Sequence, residues 1–88
     1  MNFKDYKEEF FRKAGRNKNQ LLSQDHALWL RDVINKDDSN IPFLTPEAKI
    51  FISKIIYKYY LDQNSIILLH YLYEQIIKKK ENFKCQQQ

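Results

Sequence analysis

The second half of the chain, Thr45 to Lys80, reads as two consecutive helices that carry more apolar surface than one buried face each requires. An 88-residue chain buries roughly 60% of the surface its unfolded form exposes, so this surplus must lie in its own core or against another molecule. Advancing each residue by about 100° around a helix places Ala48, Phe51, Ile52, Ile55, Ile56 and Tyr59 in one broad stripe, the natural core face. Glu47, Lys54 and Lys58 form a polar edge. Beyond that edge lies a second group, Ile50, Tyr57 and Leu61, with Tyr60 nearby. The following helix repeats the pattern. Ile66, Leu68, Leu69, Leu72, Tyr73, Ile76 and Ile77 cover about half its circumference, and Ile67 and Tyr71, four apart, form a second stripe.

Composition fixes the class. One Gly, two Pro and the single Val33, amid abundant Leu, Ile, Lys and Gln, are a helical rather than a β signature. Local signals divide the chain into four expected helices. The first spans Phe3 to Ala14: Asn2 caps it, Asp5 favours its positive end, and Phe3, Tyr6, Phe10 and Ala14 align on one side. Gly15 is placed to end it. The second covers about Gln20 to Lys36, with Ser23 able to cap a later start, and with Leu22, Trp29, Leu30, Val33 and Ile34 on its buried side. Ile41 to Leu44 reads as an extended crossing that tucks Phe43 or Leu44 into the core. Thr45, Pro46 and Glu47 open the third helix, expected to reach about Leu61. Asp62 to Asn64 is a short turn, capped onward by Asn64 or Ser65. The fourth helix runs to about Lys80, with Lys78, Lys79 and Lys80 at its negative end. The expectation is an all-α fold, a small four-helix bundle of two antiparallel αα-hairpins. Residues 1–80 form its single domain and residues 81–88 a frayed tail.

The same residues disfavour several functions. Cys85 has no mate for a disulfide or a Cys-based zinc cluster. Asp5, Glu8 and Glu9 interrupt the N-terminal segment before any apolar run, and the densest apolar stretch, Ile66 to Ile77, is broken by His70, Glu74 and Gln75. An intracellular protein without membrane insertion, most simply cytoplasmic, is expected. One glycine cannot build a phosphate-cradling loop. Asp38-Ser39 lacks the Leu that follows in the carrier-protein attachment site, and carriers are acidic where this chain is basic. His70 and Glu74, four apart, and His26 beside Asp25 do not complete a metal site. They are expected to be a surface pair and a partly exposed helix residue. No catalytic residue, metal, cofactor or small-molecule substrate is expected, and the chain is read as a non-enzyme.

Binding remains. The expected function is docking to another protein, or to a second copy, through Ile50, Tyr57, Tyr60, Leu61, Ile67 and Tyr71, as an accessory subunit, adaptor or inhibitor. The alternative is a basic nucleic-acid-binding protein using Arg12, Lys13, Arg16 and Lys18 together with Lys78, Lys79, Lys80 and Lys84. The net charge of +4 gives this only modest support, because Lys, Asn, Ile, Tyr and Phe are also what A/T-rich codons supply. A recognition helix needs an exposed polar face. The start of the fourth helix, Ser65 to Tyr71, is built for burial, whereas the second helix offers Asn19, Gln20, Gln24 and Arg31.

Overall fold

The computed structural model describes residues 2–87, and the side chains of residues 2–83. Its first helix, α1 (Phe3–Ala14), follows from local chemistry: the Asn2 side chain accepts from Asp5 N at 2.9 Å, and Gly15 closes the helix at φ 52° and ψ −123°. Only glycine adopts that conformation without strain. A 3₁₀ turn (Gly15–Asn17) leads into the single-turn α2 (Lys18–Leu21). The expected second helix is therefore broken. Ser23 Oγ accepts from His26 N at 3.2 Å and caps α3 (Gln24–Lys36), so this serine starts a new helix rather than continuing the old one.

Ile41 to Leu44 is not extended as expected. Residues Asp38–Phe43 form 3₁₀ turns, started by Asp37, whose carboxylate accepts from Ser39 N at 3.0 Å. The buried Asn40 explains them: its Nδ2 donates to Ile34 O at 3.2 Å and satisfies a terminal carbonyl of α3. Phe43 and Leu44 are half-buried and pack on the main core. Thr45 and Pro46 open α4 (Pro46–Ile55), with Thr45 Oγ1 accepting from Ala48 N at 3.2 Å. The helix stops at Ile55, well short of Leu61. A turn follows, and α5 (Gln63–Gln87) begins with Ile66 N bonded to Asp62 O at 3.0 Å.

The architecture is all-α, with five α-helices and no strand among the described residues. Its packing is organised by α5, which contacts both α1 and α3. At about 1.5 Å per residue, the 25 residues of α5 account for the long dimension of 39 Å. Two clusters meet on this helix. Ile66, Leu69 and Ile76 join Ala27, Leu30 and Ile34 of α3, Ile52 and Ile55 of α4, and Leu61. Ile67 joins Tyr6, Phe10 and Ala14 of α1, with Tyr71 packed alongside. The helix also continues past Lys80 to Gln87, where a frayed tail was expected. No Gly or Pro interrupts those residues, and Phe83 contacts the Phe43 ring edge-on at 6.1 Å. Trp29, expected in the core, is instead exposed on α3 and stacks on His26.

The backbone at Gly15 yields a stability prediction. A Cβ there meets nothing within 4 Å, so Gly15→Ala tests backbone strain alone. It should lower the unfolding free energy by about 1–3 kcal/mol in urea denaturation. An unchanged midpoint would show that the α1 terminus relaxes without cost.

Candidate functional site

The end of α4 is held from α3. Arg31 Nη1 donates to Ile55 O at 3.1 Å and to Lys58 O at 2.6 Å, so a largely buried guanidinium reinforces the turn in which Ile55 O also accepts from Lys58 N at 3.0 Å. Asp32 beside it accepts from Arg31 Nε at 3.2 Å. Two turns earlier on the same side of α3, Gln24 pairs with the backbone of Leu61, donating to its carbonyl at 2.7 Å and accepting from its N–H at 2.8 Å. The loop of residues 56–62 is thus fixed at both ends, and its anchor Leu61 is buried.

What the loop presents is aromatic. Tyr57, Tyr59 and Tyr60 are exposed by 88%, 92% and 72%, and Ile50 on the outer face of α4 by 56%. Lys49, Lys54 and Lys58 are exposed among them, and no acidic residue occurs from Ala48 to Leu61. The six sequence-derived candidates therefore separate. Ile50, Tyr57 and Tyr60 are at the surface. Leu61 and Ile67 are interior. Tyr71 is partly buried against α1, its ring edge-on to Phe3 at 5.9 Å and to Tyr6 at 5.1 Å. The second stripe on α5 is the seat of α1. Tyr59, assigned to the core face from its helical register, is the most exposed of the three tyrosines. The register does not apply to it, because the helix has already ended. The run Tyr57-Lys58-Tyr59-Tyr60, poor in strong helix formers, carried a faint signal of that ending.

The basic clusters are substantially engaged within the molecule. Arg12 and Lys13 both pair with Glu9, the latter at 3.2 Å. Lys13 and Arg12 in turn hold the Glu9 carboxyl below the ordinary carboxylate range. Lys18 lies over the Phe11 ring, 4.8 Å from its centroid. Lys79 donates to Phe43 O at 3.4 Å, and Lys80 donates to Ser39 Oγ at 2.8 Å and lies 3.7 Å from the Asp37 carboxylate. Arg16 and Lys78 are exposed. The side chain of Lys84 lies outside the described ones, as does that of Cys85.

His70 and Glu74 are not the expected surface pair. His70 is half-buried, with Nε2 3.1 Å from Leu21 O and its ring stacked on His26 at 5.2 Å. Glu74 bonds to Tyr6, whose hydroxyl is raised well above its ordinary range, first by burial and then by this carboxylate. These residues line a groove of about 310 Å³ between α1 and α5. Among the described residues no group of three or more His, Cys, Asp or Glu is placed to hold a metal ion, and no helix is long and apolar enough to cross a membrane.

The brace on the loop is testable. Arg31→Ala and Gln24→Ala should each lower stability by about 1–3 kcal/mol, the first by removing charge-assisted bonds to Ile55 O and Lys58 O and the second by leaving the partly buried backbone of Leu61 unpaired. Amide exchange at Leu61 should accelerate in Gln24→Ala while amides in α1 stay protected. Unchanged exchange at Leu61 would mean the loop is held by its apolar anchor alone.

No family model, curated protein or solved structure matches the chain.

Proposed function

We propose that the chain is a non-catalytic docking protein, an intracellular accessory subunit or inhibitor, that binds another protein through Ile50, Tyr57, Tyr59 and Tyr60. The observation that carries this reading is the combination of a fixed backbone with unpartnered aromatic side chains. Arg31 and Gln24 hold the 56–62 loop, yet its three tyrosines touch little of their own molecule. Tyrosine suits such a role because its ring supplies contact area at small entropic cost and its hydroxyl remains satisfied in water or at a polar rim. A braced loop has already met its ordering cost before binding. Ile50 adds an exposed aliphatic side chain on α4, and Lys49, Lys54 and Lys58 are exposed in the same stretch of chain.

The nucleic-acid alternative draws less support. Arg12, Lys13, Lys79 and Lys80, on which it relies, already have intramolecular partners. Releasing each to a phosphate would forfeit part of the gain.

The test is a tagged chain purified from its own cells, alongside the double variant Tyr57→Asp/Tyr60→Asp. The variant should keep its unfolding free energy within about 0.5 kcal/mol, as exposed positions do, and should lose the protein that accompanies the wild type. A variant that unfolds, or that retains the same companion, contradicts the proposal. Accompanying nucleic acid lost at raised salt would favour the alternative.

A further inference from the structure

His70 is the point at which four helices meet. Its ring lies between Phe10 of α1, 5.1 Å away, and His26 of α3, 5.2 Å away and nearly parallel at 23°. Its Nε2 reaches Leu21 O, at the end of α2, at 3.1 Å. A carbonyl only accepts, so the neutral ring carries its proton on Nε2 and donates it there. His26 in turn stacks on Trp29 at 5.6 Å. These are the two histidines of the chain and its single tryptophan.

We propose that the His26–His70 stack is an acid-sensitive latch: proton binding at His70 releases the N-terminal arm, residues 3–22, from α3 and α5. Charge on His70 must occupy a half-buried slot between neighbouring rings, with Phe10 at 5.1 Å and His26 at 5.2 Å. The surrounding groups do not cancel this. From α1, Glu9 is occupied by Arg12 and Lys13, and Tyr6 is bonded to Glu74. From α5, Glu74 favours the imidazolium, and Lys78 lines the same groove. The Leu21 carbonyl also favours the cation. Burial outweighs both favourable groups, and His26 adds to it, so His70 is pushed below its ordinary value of 6.5. The unfolded state then binds the proton more readily than the folded one. Stability is complete above about pH 6.5 and is lost as the pH falls from there through the lower folded-state value.

The arm is the part that should yield. It rests on α5 through the smaller cluster of Tyr6, Phe10, Ala14 and Ile67, whereas α3, α4 and α5 share the larger one. The carboxyls of Glu9, Asp37 and Asp62 do not confuse the readout. Lys13 and Arg12 hold the first below its ordinary range, the Ser39 hydroxyl the second and the Ser65 hydroxyl the third, so all three stay ionised where histidine titrates. The latch is also distinct from the docking surface, which shares none of its residues.

The experiment is amide exchange on the full chain, corrected for intrinsic rates, at about pH 7.5 and about pH 5. Amides of Tyr6 to Ala14 should lose protection by up to about tenfold for each pH unit by which His70 is displaced, ahead of those of Leu30 to Ile34. His26→Gln should blunt the response of α1 while leaving protection at neutral pH intact. Equal loss in α1 and α3, no loss in either, or a full acid response in His26→Gln would overturn the latch. Should that variant fail to fold, direct titration of His70 in the wild type decides: a value at or above 6.5 overturns it.

Discussion

The burial of α5 on two sides is the constraint from which the rest of the fold follows. Ile66, Leu69 and Ile76 point toward α3 and α4, while Ile67, one residue from Ile66 and about 100° around the helix, points toward α1. A helix buried over so wide an arc must have neighbours on both flanks, and the chain supplies α1 on one and α3 with α4 on the other. This explains how a small protein with a modest core uses an apolar surplus without a partner for all of it. It also explains why α1, which carries only one stripe of buried residues, has a defined seat.

Polar side chains then decide what the apolar packing leaves open. Apolar contacts position α3 beside α5, but Arg31 and Gln24 determine where α4 stops and where α5 can begin. A guanidinium that meets two carbonyls, and an amide that pairs with one residue's N–H and C=O, fix a loop more specifically than burial does. The consequence is a division of labour within Tyr57 to Leu61. Leu61 is drawn into the core and the three tyrosines ahead of it are left outside.

How much of this was legible depends on how local each cause is. Asn2, Gly15 and Thr45-Pro46 act on their own backbone, and the helix ends they govern lie where the sequence places them. Ser23 offered two starts, and only its bond to His26 N distinguishes them. The end of α4 was illegible because its cause, Arg31, is separated by 24 and 27 residues from the carbonyls it holds. Asn40 hid the 3₁₀ turns in the same way, through a side-chain bond to Ile34 that no propensity records. The error at Tyr59 is inherited from the error at the helix end. For the docking candidates, periodicity found both apolar stripes but could not tell a stripe awaiting α1 from one facing solvent. Ile67 and Tyr57 look alike in sequence, and the fold separates them.

The apolar surplus divides: on α5 it is core, and on the 56–62 loop it is presented surface. The most direct measurement compares the unfolding free energies of Ile67→Ala and Tyr59→Ala in the isolated protein. Ile67→Ala should cost about 2–5 kcal/mol, as truncation of a fully buried aliphatic side chain does, and Tyr59→Ala less than about 0.5 kcal/mol. Equal losses, or a larger loss at Tyr59, would contradict the account.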